Sequence, residues 1–171
     1  MFRNASKSLT TSNEVYEYAL SLLDRREHGE KELVQKLGRR CSSSELIRET
    51  VAKLKEYDLL NEERYARRVF ESWRSRKVYG RLHLQAELLK KQVDEAYIPA
   101  ILAMLSEEEE MQRVRAAYRQ IAGRHDKKYD CATEKGVAAL ARYFSARGFG
   151  PSMIRMGLAL AKEEAVSKVQ E

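Results

Sequence analysis

The segment RREHGEKELVQKL, residues 25–37, contains the local pattern that decides the fold. Two arginines and a histidine lead to Gly29, and Leu33 and Leu37 follow the glycine four and eight residues later. Leucines one turn apart bury one side of a short helix. A glycine before such a helix suits a tight corner, where a positive φ or a close backbone approach meets no Cβ. We therefore predict a corner between two helices; a phosphate-binding or catalytic loop is the alternative.

The same pattern occurs twice more along the chain. Gly80 precedes Leu84 and Leu88, and Gly150 precedes Ile154 and Leu158. Arginines stand before each glycine: Arg25 and Arg26, Arg74 and Arg76, Arg142 and Arg147. The first two copies are about fifty residues apart, within the range of helical repeats. Each copy predicts a long helix, a corner, a short helix and a third helix, a unit that gains stability by stacking on its neighbours. The last copy lacks the third helix, and an extra helix near Met111 precedes it.

Composition favours helices throughout the chain. The hydrophobic fraction is 43%, the charged fraction is 34%, and only two prolines occur in 171 residues. Long alternating runs of β-branched residues are missing, so strands have little support. We predict an all-α fold of nine helices, with tandem three-helix units stacked into an elongated, curved array. The expected segments are a flexible tail 1–12, repeats 13–58, 59–105 and 106–164, and a frayed end 165–171.

Polar residues that favour helix N-termini mark the predicted helix starts. They are Ser12 or Asn13, Ser42 in a capping box with Glu45, Asn61, Asp94 and Ser106. Gly38 suits a C-terminal cap of the second helix, and Pro151 suits the first turn of the last helix. Residues 123–133 are predicted to form a polar loop.

Motifs for catalysis or metal binding find little support. None of His28, His83 and His125 belongs to an HExxH-like arrangement, and each is predicted to be exposed or half-buried. The run 107–110 is four glutamates at a helix start, where they favour the helix dipole and fan outward without converging on an ion. Cys41 and Cys131 have no metal-ligand spacing, which indicates two unpaired thiols. No GxxxxGK[ST], GxSxG or GxGxxG occurs. We therefore expect no enzyme activity, no metal and no cofactor.

Charge indicates the class of partner. The formal net charge is +6 and the pI is near 9.3. Nucleic acid, an acidic protein surface or an anionic membrane would each attract such a chain, although many basic proteins bind none of them. No apolar run long enough to span a bilayer and no secretory signal occur, so we expect a cytoplasmic protein that does not bind membranes.

Positive charge is concentrated in the centre of the chain. Nine of the 32 Lys and Arg residues lie between Arg64 and Lys91. An arginine-rich helix face suits phosphates, or carboxylates on a partner, through bidentate pairing. The alternative is a solvated face with internal ion pairs, such as Glu63 with Arg67, and Glu71 with Arg67, Arg68 or Arg74. Trp73 falls on the apolar stripe of Tyr65, Ala66, Val69 and Phe70, so it is predicted to be core and not a base-stacking platform.

Three segments together resemble the RecX regulatory proteins of bacteria. They are RREHGEKELVQKL (25–37), YDLLNEERYARRVFESWRSRKVYGRLHLQAELLKK (57–91) and RYFSARGFGPSMI (142–154). The family pattern has an R-x-H corner, a central G-L-L-[DN]-[DE]-x-R-[FY]-A followed by Y-G, and a late R-R-G-[FY]. Asp58, Val78 and Gln92 stand where the family commonly has glycine, which leaves the local turn geometry open.

The resemblance implies a regulatory function without catalysis by this chain. RecX proteins bind the RecA recombinase, and they are thought to occupy the groove or end of the RecA–DNA filament. The resemblance implies inhibition of RecA ATPase, filament extension and strand exchange in homologous recombination and the DNA-damage response. We expect RecA and the RecA–DNA filament as partners, direct DNA contact as a further expectation, and a monomeric chain.

We expect the contact residues to be Arg67, Arg68, Arg74, Arg76, Lys77 and Arg81, with Arg25, Arg26 and Arg147 as secondary candidates. Two alternatives stay open. A stand-alone helical-repeat module for single-stranded nucleic acid would bind naked strands as tightly as RecA-coated ones. A small metal-dependent nuclease would need a converging acidic cluster, which the sequence lacks.

Overall fold

The computed structural model describes residues 8–122 and 127–167. These residues form nine α-helices and one short 3-10 turn, Lys127–Tyr129, and no strand. The helices are α1 Ser12–Arg25, α2 Glu30–Gly38, α3 Ser44–Glu56, α4 Glu62–Arg74, α5 Arg81–Lys90, α6 Ile98–Ala103, α7 Glu107–Ala122, α8 Glu134–Ser145 and α9 Pro151–Ser167. The all-α prediction is confirmed. Most of the predicted tail, the start of the predicted loop 123–133 with His125, and residues 168–171 lie outside the described residues.

The helices form two compact units. Unit 1 comprises the described residues up to Val69 together with Leu88–Ile98. Unit 2 comprises Phe70–Glu87 and the described residues from Pro99 onward. The boundaries between the units fall within α4, α5 and the first residues of α6. The predicted repeat boundaries 13–58, 59–105 and 106–164 stay a prediction.

The core of unit 1 is built on α1, α2 and α3. Leu33 and Leu37 of α2 are fully buried, as are Val15 and Ala19 of α1. On α3, Ile47, Thr50, Val51 and Leu54 are buried, and Leu46 is partly buried against them. Leucines at spacings of four residues therefore do attach the short helix to its neighbours, as the opening segment predicted.

The core of unit 2 is aromatic. Phe144 of α8 and the following Phe149 are buried edge-to-face at 5.9 Å between ring centroids, and Val114, Tyr118 and Leu140 pack around them. Trp73 is also fully buried, and its indole Nε1 donates to His83 Nδ1 at 3.0 Å. Trp73 is therefore a core residue, as predicted.

Two helix caps differ from the sequence expectation. Thr11, not Ser12 or Asn13, caps α1 in a capping box with Glu14. Ser43, not Ser42, caps α3 by accepting from the amide of Leu46, and Glu45 pairs with Arg48 instead of closing a capping box. In each case the cap is a neighbouring hydroxyl residue.

The other predicted helix ends have mixed outcomes. Asn61 accepts from the amide of Arg64, and Ser106 accepts from that of Glu109, which confirms both caps. Pro151 is the first residue of α9, also as predicted. Asp94 instead closes a turn onto the amide of Ala96, because α6 begins later, at Ile98. Gly38 does not form a left-handed cap: it is the last residue of α2, and Arg39 continues in right-handed conformation.

Two of the three corner glycines are required by close packing. A Cβ at Gly29 would lie 2.7 Å from Cε1 of Tyr65. A Cβ at Gly80 would lie 2.5 Å from the carbonyl oxygen of Gly148. At Gly150 a Cβ would meet open space, so the prediction for the third corner is wrong. Gly148 is the restricted glycine there, with φ of +73° and its backbone against His83.

Within residues 8–122 and 127–167, two non-glycine residues adopt a left-handed backbone. Asp58 has φ of 53° and Gln92 has φ of 58°. Both follow helix ends, and both are positions at which the resembling family commonly has glycine. The turns are therefore kept without glycine, at the steric cost that a Cβ incurs in this conformation.

No helix among residues 8–122 and 127–167 is long and apolar enough to cross a membrane.

Candidate partner-binding surface

The outer face of α4 is only partly neutralised. Arg67 donates from Nη2 to Glu63 Oε1 at 2.8 Å, the i, i+4 pair expected for a solvated face. Such exposed pairs contribute a few tenths of a kcal/mol, roughly 0.3–0.5. Arg68 is exposed and makes no ion pair with any described residue. The charge of Arg68 is thus available to a partner, whereas that of Arg67 is shared.

The end of α4 and the following corner contain three more predicted contact residues. Arg74 binds Glu109 through two hydrogen bonds, from Nε at 3.1 Å and from Nη2 at 2.9 Å, and lies 3.6 Å from Glu71. Arg76 lies 3.7 Å from Glu87. Lys77 is exposed and has no carboxylate partner among the described residues. Lys77 joins Arg68 as an uncompensated cation.

Arg81 is held inside unit 2. Its Nε donates to Glu110 Oε2 at 3.2 Å, and its two Nη atoms donate to the carbonyl oxygens of Leu102 and Leu105. Leu102 lies in the last turn of α6, and Leu105 lies between α6 and α7. Arg81 therefore ties the end of α6 and the turn after it to α5, and a role as a contact residue stays a prediction.

Arg113 is a residue that sequence reasoning missed. Its side chain is 4% exposed, and its Nη1 and Nη2 donate to the carbonyl oxygens of Arg76 and Arg74, each at 2.8 Å. The guanidinium also lies 4.2 Å from the Trp73 ring centroid and binds Glu109. Arg113 thus caps the C-terminal end of α4. The i, i+4 spacing from Glu109 indicated an ion pair, but nothing in the sequence indicated its burial.

The glutamate run at the start of α7 has two different halves. Glu107 and Glu108 are exposed, in agreement with a dipole role, but Glu110 is 5% exposed and binds Arg81. The prediction that all four fan outward is therefore wrong, because two of them face buried or half-buried arginines. Burial alone would raise the pKa of Glu109, but hydrogen bonds from Arg74 and Arg113 outweigh it and hold that pKa below its usual range. No group of three potential metal ligands occurs among the described residues.

At each of the first two corners, a glutamate accepts a hydrogen bond from the amide that follows the glycine, a contact that the sequence did not reveal. Glu62 Oε2 accepts from the amide of Glu30, the residue after Gly29, at 2.9 Å. Glu110 Oε1 accepts from the amide of Arg81, the residue after Gly80, at 2.8 Å. Each acid lies in the first turn of the first helix of the next copy. The third corner is followed by Pro151, which has no amide hydrogen to donate.

The opening segment forms a polar network around a buried histidine. His28 is 2% exposed, so the prediction of an exposed or half-buried ring is wrong. Its Nδ1 is 2.9 Å from the carbonyl oxygen of Arg26, and its Nε2 is 2.8 Å from Lys36 Nζ. Because lysine can only donate, Nδ1 carries the proton and donates to the carbonyl. Burial lowers the pKa of His28, which keeps the ring neutral.

The rest of this network is charged. Glu32 binds Arg26 and, at 3.2 Å, Lys36. Burial would raise the pKa of Glu32, but the two cations outweigh burial and lower it to about 2. Arg26 is therefore paired, whereas Arg25 is exposed and has no ion pair among the described residues.

Arg147, the remaining secondary candidate, is half-buried. Its guanidinium lies 3.6 Å from the Tyr143 ring centroid, a cation–π contact, and its carbonyl oxygen accepts from the amide of Gly80. The nine predicted contact residues thus divide into two groups. Arg25, Arg68 and Lys77 are exposed without an ion pair among the described residues, and the other six have carboxylate, carbonyl or aromatic partners.

Comparison with known proteins identifies the family. A family model described as "RecX, first three-helix domain" matches residues 16–54, which contain α2, most of α1 and nearly all of α3. Regulatory protein RecX of Pseudomonas putida is 34% identical over 150 residues, 87% of this chain and 92% of the relative. Regulatory protein RecX of Pseudomonas fluorescens is 33% identical, over 80% of this chain and 84% of the relative. That of Caldanaerobacter subterraneus is 30% identical, over 87% of this chain and 71% of the relative.

Solved structures agree with the fold. RecX from Lactobacillus salivarius superposes with a TM-score of 0.78 over 88% of this chain and 96% of that protein, at 20% sequence identity. A second regulatory protein RecX superposes with a TM-score of 0.73 over 85% of this chain and 71% of that protein, at 17% identity. The sequence matches extend over most of the chain, and the helical fold is shared. This chain therefore belongs to the RecX family of regulatory proteins.

Proposed function

We propose that this protein is a negative regulator of RecA, which binds the RecA–DNA filament and lowers ATP hydrolysis, filament extension and strand exchange. The observation that carries the proposal is the similarity to regulatory RecX proteins over 80% or more of the chain. Exposed cations without an ion pair among the described residues support the proposal, because their charge is available to acidic groups of a partner.

The binding contribution is assigned to the cations that have no internal partner. Arg68 and Lys77 are exposed on α4 and just after it, and Arg25 is exposed at the end of α1. A cation already paired with a carboxylate must exchange one partner for another, so it contributes less to a new interface. Arg67, Arg74 and Arg76 are secondary contacts in this proposal. Arg26, Arg81 and Arg147 act mainly by keeping the corners in place.

The mechanism is differential binding. A protein that binds one state of the filament more tightly than another shifts the equilibrium toward that state by the difference in binding free energy. RecX that prefers a non-extending state of the filament would lower every activity that needs extension. The filament contains DNA, so its negative charge and acidic protein surfaces both attract a chain of net charge +6.

The direct test is RecA ATP hydrolysis on single-stranded DNA, with substoichiometric amounts of this protein and a RecA of the same source. We expect inhibition at fewer than one molecule per RecA protomer, because a filament amplifies the effect of each bound regulator. ATPase activity unchanged at a molar excess would contradict the proposal.

The second candidate is a stand-alone module for single-stranded nucleic acid, favoured by the exposed unpaired cations. It predicts equal affinity for naked and RecA-coated strands, with a steep decrease of affinity as salt increases. Binding to a fluorescent oligothymidylate with and without RecA separates the two. A filament regulator binds the coated strand more tightly.

A further inference from the structure

A cleft in unit 1 contains three cations to which no role is assigned above. Five cations and Glu32 are among its lining residues; it measures about 360 Å³, and we call it the basic cleft. The five are Arg26, Lys36, Arg39, Lys90 and Lys91. Arg26 and Lys36 are paired with Glu32. Arg39, Lys90 and Lys91 are exposed and make no ion pair with a described residue, so the cleft keeps an uncompensated positive charge.

An aliphatic groove adjoins the basic cleft. Its apolar lining is Val34, Leu89 and Val93; Lys31 and Glu95 also line it, and Gln35 and Gln92 belong to both the groove and the cleft. Val34 is 39% exposed and Leu89 is 48% exposed, whereas Val93 is 2% exposed and forms the floor. Exposed aliphatic side chains beside a concave polar surface are a mark of protein interaction sites.

The backbone around both features is fixed. The Tyr65 hydroxyl donates to the carbonyl oxygen of Lys91 at 3.1 Å, and Glu62 accepts from the amide of Asp94 at 3.0 Å. Gln92 holds its left-handed turn between these two bonds. The turn that follows Leu89, Lys90 and Lys91 is therefore held by both bonds.

The chemistry of this surface favours an acidic protein segment over a nucleic-acid strand. Single strands are bound by grooves in which bases stack on exposed aromatic rings. The one aromatic residue that lines the basic cleft is Tyr65, which is 4% exposed, and the adjoining apolar residues are aliphatic. Carboxylates match the three free cations, and aliphatic side chains match Val34 and Leu89.

We propose that the basic cleft and the aliphatic groove of unit 1 together dock a segment of RecA that is rich in Asp or Glu and contains aliphatic side chains. This inference rests on the proposed function for the identity of the partner protein. It assigns protein contact to Arg39, Lys90, Lys91, Val34 and Leu89, none of which was among the residues predicted from the sequence.

The test places the photoreactive amino acid benzoylphenylalanine at Leu89 of the full chain, with the same substitution at Leu82 as the matched control. Leu82 is 51% exposed, comparable with Leu89, but belongs to unit 2. After irradiation with RecA filaments on oligothymidylate, we expect a cross-link from position 89 to a RecA peptide rich in acidic residues. A cross-link to the DNA, to a RecA peptide without acidic residues, or equally from both positions would overturn the inference.

Charge reversal provides the second readout. Arg39→Glu with Lys90→Glu and Lys91→Glu is expected to lower the yield of the cross-link at least tenfold. Arg115→Glu with Arg119→Glu, which reverses exposed cations of α7 in unit 2, should change it less than twofold. Equal effects of the two variants would contradict the assignment. Circular dichroism of each variant confirms that the chain is folded.

The two proposals can fail separately. If the protein inhibits RecA ATPase but position 89 does not cross-link to RecA, the docking surface is wrong and the proposed function stands. If RecA is not inhibited, a fluorescein-labelled amphipathic peptide of Glu and Leu tests the surface by itself. Binding of that peptide weakened tenfold by the cleft variant supports the surface, and binding that does not change, or no binding, overturns it.

Discussion

The first and second glycine corners have the same spacing but use their charges differently. At the Gly29 corner the buried polar group is neutral His28, and the nearby Glu32 pairs with both Arg26 and Lys36 at a half-exposed surface. At the Gly80 corner two guanidinium groups bind backbone carbonyls at and just after helix ends, Arg113 at the end of α4 and Arg81 at the end of α6. Within the denser arginine segment, Arg74 and Arg81 are already bound to Glu109 and Glu110 of the same unit. A count of arginines along a sequence does not measure the charge available to a partner.

The largest expected effect concerns Arg113. Arg113→Leu removes a buried guanidinium and leaves two helix-end carbonyls and Glu109 without this partner. Loss of one member of a buried ion pair costs about 3–5 kcal/mol. Urea denaturation of the full chain should show this decrease in the free energy of unfolding. The control is Arg115→Leu on the exposed side of the same helix, for which we expect a change of about 0.5 kcal/mol or less. Similar losses in the two variants would show that Arg113 does not cap α4.

Substituting alanine for each corner glycine should rank the three copies by the loss in the free energy of unfolding. Gly80→Ala places a methyl group against backbone atoms, whereas Gly29→Ala meets the edge of a tyrosine ring that can shift slightly. We expect a loss of about 2–3 kcal/mol at position 80 and about 1–2 kcal/mol at position 29, typical of overpacking. Gly150→Ala meets open space and should be neutral or slightly stabilising. Thermal or urea unfolding measures the order, and a loss at position 150 as large as at position 80 would contradict it.

The buried histidine makes the first corner sensitive to pH. The pKa of His28 is lower in the folded chain than in the unfolded chain, whose histidines titrate near 6.5. The unfolded state therefore takes up a proton more readily as the pH falls below about 6.5, and stability decreases in that direction. We expect urea midpoints to fall between pH 7.5 and pH 5.5. Glu32, with a pKa of about 2, stays ionised throughout this window.

The control for this pH dependence is His28→Gln, which removes the titrating ring but keeps a polar side chain. It should be less stable than the natural chain at pH 7.5, and its stability should vary less between pH 7.5 and pH 5.5. An unchanged slope in the variant would assign the pH dependence to other groups.

The smallest expected effect is stabilising. Gln92→Gly relieves a left-handed backbone at a residue with a Cβ, and should raise the free energy of unfolding by up to about 1 kcal/mol. Asp58→Gly should raise it less, because Asp58 also pairs with Arg64 at 3.0 Å and accepts from Asn61. Urea denaturation of both variants would measure the difference. Destabilisation by Gln92→Gly would show that its side chain, and not its backbone, holds the turn.

Much of the fold could be predicted from the sequence, because the signals for helices come from residues close together in the chain. The spacing of Leu33 and Leu37, the stripe from Tyr65 to Trp73 and the cap at Asn61 all depend on residues within two turns of one another. The wrong predictions concern positions whose conformation depends on contacts with a segment distant in the sequence. Gly150 follows the local pattern, yet Gly148 is the glycine that meets His83.

The candidate surface was less predictable for the same reason. Whether an arginine is free depends on carboxylates and carbonyls far along the chain, as with Arg74 and Glu109 or Arg81 and Leu105. The carboxylates Glu62 and Glu110 occupy matching positions in their copies, but their acceptor role involves amides about thirty residues earlier. The basic cleft is lined by residues of α2 and of the end of α5, and no local sequence pattern indicates that these segments are close together.

One measurement tests most directly whether the uncompensated cations of the central segment carry the regulation of RecA. It compares the concentration for half-inhibition of RecA ATPase by the natural chain, by Arg68→Glu with Lys77→Glu, and by Arg115→Glu with Arg119→Glu. All four positions are exposed cations without an ion pair among the described residues. We predict an increase of at least tenfold for the first variant and less than twofold for the second, with helicity unchanged in both. Full inhibition by the Arg68 and Lys77 variant at the natural concentration would contradict the account.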